Sequence, residues 1–392
     1  MKKYLLCLGL AGILSLAGIN SANSKVGDLT AIGARSYAMA GAMVGIADDL
    51  LSAFYHNPAG LVQIKGSSMA MGSAICDLRL HYETPEGYRH ENDFYPVIPY
   101  LAFATDSYGP VTLGVGVFST LGVGLNFKAD PAHGLSGDIK SQSGVMSLNP
   151  TLAYQVNPRM ALGLQLNIGY GKSKMNQPTP LGYLRTEADG FGLGCTIGVL
   201  YEVNRSLKLG LSWRSPMKIA EEGDARLNGV KDDLDIDLYW PQMLTVGLGY
   251  KFTPNLIFGF SVKWSDWSYF DRSELKFDKF SALNTPFSEG SRDGLRLQTG
   301  VEYWLNQKIA LRAGYFYEPY STDSRYLSPA NIDATIHQAS LGMGIRLNKL
   351  QVDLIYFHTW FVTRQVFQSE VGYPGEYGGD MPAVTLELTY HF

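Results

Sequence analysis

Beyond its N-terminal leader, the 392-residue sequence lacks any apolar run close to the roughly 18 residues that a membrane-spanning helix needs. Charge is also sparse, since Asp, Glu, Lys and Arg make up only 17% of the chain and the formal net charge is -4. No basic cluster with interleaved aromatics follows the pattern of a nucleic-acid-binding surface, so we expect no nucleic-acid partner. If the protein crosses a membrane, it does so with strands.

Cysteine is scarce, with three residues in the whole chain. Cys7 belongs to the leader, whereas Cys76 and Cys195 lie far apart in strand-like runs. An exported protein can pair two such cysteines, but unpaired cysteines in a barrel wall are the favoured interpretation. No CxxC pair and no Cys/His spacing suggests a metal, so we expect neither a metal nor another cofactor.

The N-terminus has the three parts of a secretory signal peptide. Met1-Lys2-Lys3 is a short basic region, residues 4–18 form an apolar core, and residues 22–24 offer a small-x-small cleavage site. We place cleavage after Ser24, with Ala22 as the alternative. A membrane anchor is less favoured because the apolar core is short and no stop-transfer flank follows. Residues 1–24 are therefore predicted to be removed on export.

What the sequence has in abundance is alternation of apolar and polar residues. In the last ten residues, "AVTLELTYHF", Val384, Leu386 and Leu388 share one face, and Thr385 and Glu387 take the other. Residues 161–170 and 243–252 repeat the pattern, and the chain is rich in aromatics (24 Tyr, 18 Phe, 6 Trp) and in Gly (43). A period of two predicts strands with one apolar and one polar environment, as in a membrane barrel or a soluble sandwich.

Connection lengths favour the barrel. Short turns rich in Asn, Gly and Pro are predicted at residues 106–109, 157–158, 204–205, 253–255, 306–307 and 348–349. Longer polar stretches, predicted to be loops, occupy residues 81–94, 126–144, 172–189, 216–235, 269–293, 319–334 and 363–382. Short turns on one side and long loops on the other are typical of an outer-membrane β-barrel, whose short turns are periplasmic.

The hairpins predict an all-β fold, a 14-stranded antiparallel transmembrane barrel, with twelve or sixteen strands as alternatives. An even number places both termini in the periplasm, and closure leaves no sheet edge exposed to hydrocarbon. The terminal aromatic Phe392 resembles the signal that the barrel-assembly machinery recognises. We expect a monomer in the bacterial outer membrane, surrounded by its lipid and lipopolysaccharide.

Residues 25–66 fit no strand. Apolar residues at helical spacing (Met39, Met43, Ile46, Leu50) lead into "AFYHNPAGL", a turn in which Pro58 fixes one backbone angle and an asparagine can cap neighbouring amides. A segment this small needs a host to fold, and the lumen of a barrel formed by residues 67–392 is the host available.

The run from Gly33 to Leu61 resembles the N-terminal hatch of the long-chain fatty-acid outer-membrane transporter family (FadL/TodX-type, OMPP1). Five further blocks are similar to the family's successive strand signatures, in the family's order: residues 211–227, 240–250, 263–271, 295–318 and 337–347. The resemblance implies a barrel plugged by this hatch, passive uptake of a hydrophobic compound, and sideways release into the membrane. It also implies that Asn57, Pro58, Ala59 and Gly60 form the signature turn of the hatch, which we expect to act as the gate; the alternative is that the turn only folds the plug.

One departure from the family concerns the lateral opening. The resemblance places it in a kinked strand, here around Phe118, Ser119, Thr120 and Gly122, and Thr120 stands where many relatives carry a proline. Proline in a strand marks a bulge or gap, so its absence leaves the position of the opening open. The glycines of this strand can still permit the bend.

Cations on the inward faces of strands are the candidate ligands for a fatty carboxylate. A cation on the lipid face would cost about 2–4 kcal/mol, and a guanidinium can bind a carboxylate through two hydrogen bonds. The candidates are Arg214, Lys263, Arg296, Arg312 and Arg346, with Phe316 as an apolar contact. The alternative is that these cations pair structurally with Glu302, Asp353 and Glu387.

Several other functions fit the sequence less well. "GLGCTIG" (residues 192–198) has the wrong spacing for a dinucleotide fingerprint and no helix after it. A lipase would need a Ser/His pairing that we do not find, and an open porin would not contain a plug. We therefore expect no enzyme, and predict a fatty-acid transporter. An aromatic-hydrocarbon carrier of the same family and a surface receptor or adhesin are the alternatives.

Overall fold

The computed structural model describes residues 27–286 and 290–392, and the predicted signal peptide lies outside this range. Twenty strand segments form one antiparallel sheet, and six barrel strands consist of two segments each, which gives fourteen strands. These are β1 (Ser68–Cys76, Arg79–Glu83), β2 (Arg89–Glu91, Val97–Ala104), β3 (Val111–Phe127), β4 (Ile139–Asn157), β5 (Met160–Thr179), β6 (Gly182–Glu202), β7 (Leu207–Arg214, Met217–Leu227), β8 (Val230–Trp240, Met243–Thr253), β9 (Leu256–Ser265, Glu274–Phe277), β10 (Thr285–Pro286, Gly294–Trp304), β11 (Ile309–Glu318), β12 (Ile336–Leu347), β13 (Leu350–Val366) and β14 (Gly375–His391).

The sheet closes on itself. Strand β1 pairs with β14 from Ser68 opposite His391 to Cys76 opposite Ala383, while its other edge pairs with β2. The prediction of fourteen strands is therefore confirmed, as are the six short turns. Closure leaves the first and last strands without a free edge, which is the condition for a sheet in hydrocarbon.

Alternation along each strand separates the outside of the barrel from the lumen. On β5, Leu162, Leu164 and Leu166 are exposed, whereas Gln165 and Asn167 are buried toward the inside. On β14, the apolar set of the last ten residues is likewise exposed on the outside and Glu387 is buried. Both Cys76 and Cys195 are free thiols, in agreement with the favoured interpretation.

Two of the predicted long loops are wrong. Residues 172–189 belong to β5 and β6, and residues 216–235 belong largely to the second segment of β7 and the first of β8. These strands continue past the membrane because polar residues alternate with buried ones there too, as at Ile219, Leu234 and Ile236. Charged residues on the wet face of such a hairpin resemble a loop by composition, although their period is that of a strand.

The N-terminal segment, residues 27–66, lies inside the barrel and is called the hatch below. It contains α1 (Ala34–Ala38), α2 (Leu50–Tyr55) and a 3-10 turn (Pro58–Gln63). No helix in the described residues is long and apolar enough to cross a membrane. The helical spacing of Met39, Met43 and Ile46 does not give a helix, because positive φ angles at Ala40 and Gly41 interrupt it.

Glycines on the inner wall let the hatch backbone approach the strands closely. A Cβ atom at Gly210 would lie 1.9 Å from the carbonyl oxygen of Val44, and one at Gly163 would lie 2.2 Å from the amide nitrogen of Ala59. Further wall glycines meet the hatch in the same way: Gly198, Gly249, Gly259, Gly300 and Gly314. The many Gly residues at inward positions are thus explained by a tightly fitting plug.

Candidate functional site

The wall of the barrel is broken between β2 and β3. The two strands pair from Ala104 opposite Gly114 to Tyr100 opposite Phe118. Beyond that point, Val97 to Pro99 of β2 pair with β1, and residues 119–125 of β3 have no β2 partner in the described part of the chain. Contact resumes where the amide of Asp93 donates to the carbonyl of Asn126 over 3.1 Å.

Strand β3 is irregular at this break. Its register with β4 shifts between Ser119 and Leu121, so that Thr120 has no partner there. Phe118 is the last residue paired with β2, and Gly122 lines a cavity behind the break. The four residues predicted for the lateral opening therefore lie at the break. Their role in release stays a prediction.

The hatch covers this break from the inside. Asp28 forms an isolated antiparallel bridge with Leu121 of β3. The next residue, Leu29, accepts a hydrogen bond of 2.6 Å from the hydroxyl of Tyr55 through its backbone carbonyl. The first described residues of the hatch are thus held between the broken strand and the rest of the plug.

An apolar cavity of about 60 Å³ lies behind the break. It extends from Ile98 and Gly122 at the break to Arg296 in the lumen. Aromatic rings contribute much of its wall, and its lining includes Leu29, Tyr37, Phe316, Phe357, Phe361 and Met381. A mainly apolar space with one charged end matches an amphipathic molecule in its chemistry, and at this volume a long tail would need the hatch to move.

A cluster of cations adjoins the charged end of the cavity, and Arg296 is the member that lines it. Arg296 donates from Nε to Glu318 over 2.7 Å, and its Nη2 lies 3.0 Å from Oδ2 of Asp28. The same carboxylate oxygen contacts the Nζ of Lys263, which faces Arg296 across the register of β9 and β10. We call Asp28, Arg214, Lys263, Arg296 and Glu318 the central cluster.

Arg214 completes the central cluster from β7. Its guanidinium lies 4.9 Å from the centre of the Tyr55 ring and donates to the Tyr55 carbonyl over 3.1 Å. It also acts electrostatically on the Asp28 carboxylate. Arg214 forms no ion pair with any carboxylate in residues 27–286 and 290–392. Three cations therefore face two carboxylates, Asp28 and Glu318, and the cluster carries a surplus of positive charge.

Arg312 belongs to a different group of charges, close to the short turn between β10 and β11. It donates to Glu302 over 2.6 Å and to Asp353 over 2.5 Å, and Arg35 of the hatch binds the same Glu302. Arg35 also contacts Asp48 and Asp49 of the hatch. We call these six residues the lower cluster. Arg312 therefore follows the alternative interpretation, in which the cation forms structural ion pairs with Glu302 and Asp353 instead of binding a ligand.

Two further candidates take separate positions. Arg346 is exposed at the turn side of the barrel, where it lies 4.5 Å from the Trp304 ring, so the structure does not bring it to the cavity. Phe316 lines the cavity, and the Arg296 guanidinium lies 4.9 Å from its ring centre. Glu387, proposed as a partner for a cation, instead accepts a 2.5 Å hydrogen bond from the amide of Ala34 at the start of α1.

The Asn-Pro-Ala-Gly turn lies against β5 and β6. Asn57 is fully buried, and its Nδ2 donates to the carbonyls of Val44 and Val199, each over 2.9 Å. Its Oδ1 accepts the amide of Ala59 and caps the 3-10 turn. One side chain thus joins two parts of the hatch to the barrel wall. The role of the turn as a gate stays a prediction.

These features match a described family along most of the chain. The model of the family "Outer membrane protein transport protein (OMPP1/FadL/TodX)" matches residues 13–392. The chain belongs to this family. Its members include the long-chain fatty acid transport protein of Escherichia coli O6:H1, which is 24% identical over 59% of this chain and 62% of the relative. The chain thus spans about 62% of that relative's length.

Other family members cover the chain more fully. Outer membrane protein P1 of Haemophilus influenzae is 24% identical over 100% of this chain and 96% of its own length. A Pseudomonas aeruginosa FadL homologue superimposes with a TM-score of 0.81 at 17% identity, covering 93% of this chain and 99% of its own. The Pseudomonas putida toluene transporter TodX gives 0.73 at 16% identity, with the same coverage. The fold and the outer-membrane location follow, and these are channel-type transporters rather than enzymes.

Sequence reasoning missed the carboxylates of the central cluster and the hatch residues of the lower cluster. Asp28 and Glu318 complete the central cluster, and Arg35 with Asp48 and Asp49 ties the hatch to the wall. The available signal was a set of charges, "ARSYAM" and "ADDLL", within an otherwise apolar plug. A charge inside a buried segment needs a partner of opposite sign, and the inward cations and carboxylates of the barrel supplied candidates.

Proposed function

We propose that the protein takes up hydrophobic compounds passively across the outer membrane, with long-chain fatty acids as its first substrate class. The observation that carries this proposal is the apolar cavity with the central cluster at one end and the strand break near the other. A fatty acid has the same division into tail and charged head. Its carboxylate would bind the surplus cation, and its tail would lie along the aromatic lining.

The proposed route ends in the membrane rather than in the periplasm. The short-turn side of the lumen is filled by the hatch, whose backbone lies against glycines of the wall. The break between β2 and β3 leads from the cavity toward the outside of the barrel. We infer that the substrate enters at the extracellular loops, passes the cavity and leaves sideways into outer-membrane lipid.

Two rearrangements would open this route, and both involve the hatch. As domain bounds we propose residues 25–66 for the hatch and residues 67–392 for the barrel. The first is release of Asp28 from the strand break. The second is movement of the turn at Asn57 to Gly60, which holds the plug to β5 and β6. Flow would be driven by consumption of the substrate inside the cell, with no energy source in the protein itself. A monomer would suffice.

Aromatic-hydrocarbon transport is the second candidate, because solved relatives include the toluene transporter TodX. The surplus of positive charge in the central cluster favours an acid, since a neutral hydrocarbon has no use for a cation. Arg214 is partly buried and has no carboxylate partner in the described residues, so a ligand carboxylate could pair with it. A surface receptor that uses only its loops would have no need of the lumenal cavity.

The test compares uptake of labelled oleate and toluene by cells that lack their own carrier. The cells express the wild type, Asn57→Ala, or the control Asn157→Ala in the exposed turn between β4 and β5, at equal surface levels. We expect oleate uptake in the wild type and the control, and its loss in Asn57→Ala. Entry of toluene alone would move the second candidate ahead. If neither compound entered while the barrel was folded, the receptor alternative would replace transport.

A further inference from the structure

The hatch places a carboxylate of its own in the central cluster. The Asp28 side chain is fully buried, and its Oδ2 contacts both Lys263 and Arg296. Arg296 Nη2 also donates to the backbone carbonyl of Asp28 over 3.2 Å. Asp28 lines the apolar cavity together with Leu29 and Thr30. A fatty-acid head group at this end of the cavity would meet the same cations that Asp28 now occupies.

The contacts between Asp28 and these cations leave some hydrogen-bonding atoms unpaired. Among the described residues, Oδ1 of Asp28 and Nη1 of Arg296 are buried without a hydrogen-bond partner. A guanidinium can hold a carboxylate through two parallel hydrogen bonds, and a buried polar atom left unpaired is destabilising. A free carboxylate is not attached to a peptide backbone and can turn to satisfy both nitrogens. It therefore carries the same charge as Asp28 and can form hydrogen bonds to Arg296 that Asp28 leaves unmade.

The same residue also closes the break in the wall. The backbone of Asp28 bridges Leu121, next to the bulged Thr120 of β3. Its side chain is the part of the hatch that binds Lys263 and Arg296. Loss of these two ion pairs would leave the backbone of Asp28 held only by the bridge to Leu121 and by the hydrogen bond from Arg296 to its carbonyl, among the contacts described above. Binding of an acid at the cations and opening of the break are thus coupled through one residue.

We propose that Asp28 is an internal competitor for the head-group site, which a ligand carboxylate must displace before the break opens. This inference rests on the proposed function as a fatty-acid transporter and adds a cause of selectivity. A hydrophobic monocarboxylate replaces the lost charge one for one. An alcohol or hydrocarbon of equal length brings no charge, so that it leaves Asp28 in place. A ligand shifts such an equilibrium only by its differential affinity for the two states.

The experiment measures binding of oleate and of oleyl alcohol to the purified full-length protein in lipid nanodiscs. In Asp28→Asn the competitor is removed, and we expect oleate to bind about tenfold more tightly, which corresponds to about 1.4 kcal/mol. Oleyl alcohol should bind with nearly unchanged affinity. Heat-modifiable migration in gel electrophoresis checks that each barrel is folded, and Asp28→Ser is a second variant with the same expectation.

The matched control is Glu318→Gln. Glu318 contacts the same guanidinium as Asp28 but belongs to β11 of the wall, so it does not act as a displaceable group. The proposal expects a clearly smaller gain for oleate in this variant. Equal gains in both variants would mean that the effect comes from net charge alone, which would overturn the proposal. Unchanged or weaker oleate binding in Asp28→Asn would overturn it as well. A wild type that binds no oleate would instead overturn the proposed function.

Discussion

The central cluster and the lower cluster both hold the hatch, but the central cluster has more positive than negative groups and the lower cluster has more negative than positive groups. Arg296 and Glu302 lie on the same strand, six residues and about 20 Å apart. Around Arg296, three cations face two carboxylates, whereas around Glu302 two arginines face four carboxylates. The lower cluster repels an acid and binds the hatch to the wall. The central cluster attracts an acid and lies next to a cavity, so burial of ionic groups alone does not identify a ligand site.

The largest expected effect is on stability, and it separates the clusters directly. In Arg312→Met, Asp353 loses its arginine and Glu302 keeps only Arg35. We expect the free energy of unfolding to fall by about 3–5 kcal/mol, because a carboxylate stays buried with too few partners. Urea titration in lipid vesicles, followed by Trp fluorescence, measures the change.

The control for that substitution is the same exchange in the central cluster. Arg214 binds a carbonyl and an aromatic ring rather than a carboxylate within the described chain. Arg214→Met should therefore lower the free energy of unfolding by no more than about 1.5 kcal/mol, the contribution of one ordinary hydrogen bond. Equal losses in the two variants would mean that both clusters are structural.

The next effect concerns the fit of the hatch. In Gly210→Ala, the new Cβ atom would lie 1.9 Å from the Val44 carbonyl, which also accepts a hydrogen bond from Asn57. We expect a loss of about 1–3 kcal/mol in the same titration, because the hatch backbone must move. In Gly194→Ala, the nearest atom is the Ser215 hydroxyl at 3.0 Å, a side chain that can rotate. A similar loss in this control would show that the strands, and not the plug, are sensitive to the added methyl group.

The sequence predicted the barrel and two ionic partners in its wall, Glu302 and Asp353, but not the partners in the hatch, for a physical reason. Alternation at Val384, Leu386 and Leu388 is a local property, and it reports which face of a strand meets lipid wherever the strand lies. The pairing of Arg35 with Glu302 joins residues 267 positions apart, and depends on the path of the hatch inside the lumen. Inward orientation was therefore predictable for Arg296 and Arg312, whereas the division of the cations between two clusters was not.

A smaller effect tests ligand binding at the central cluster. Arg214→Met removes one of the three cations without removing an ion pair in the described residues. We expect oleate affinity to fall at least tenfold, since a hydrogen bond to a charged group contributes about 1.5–3 kcal/mol and about 1.4 kcal/mol is tenfold. Toluene affinity should stay unchanged, and titration of both ligands in nanodiscs measures the difference. A parallel loss for toluene would indicate a collapsed cavity rather than a lost head-group contact.

The smallest expected effect lies at the break between β2 and β3. Thr120 has no partner in the register of β3 with β4, and its buried hydroxyl has no hydrogen-bond partner in the described residues. Thr120→Pro should therefore change the free energy of unfolding by less than about 1 kcal/mol, since proline is tolerated at a bulge. Val115→Pro is the control, because Val115 pairs with Phe103 on one side and Pro150 on the other. That variant should lose about 3 kcal/mol or more. A large loss in Thr120→Pro would mean that β3 needs the Thr120 amide, and that the break is held closed by the strand itself rather than by the hatch.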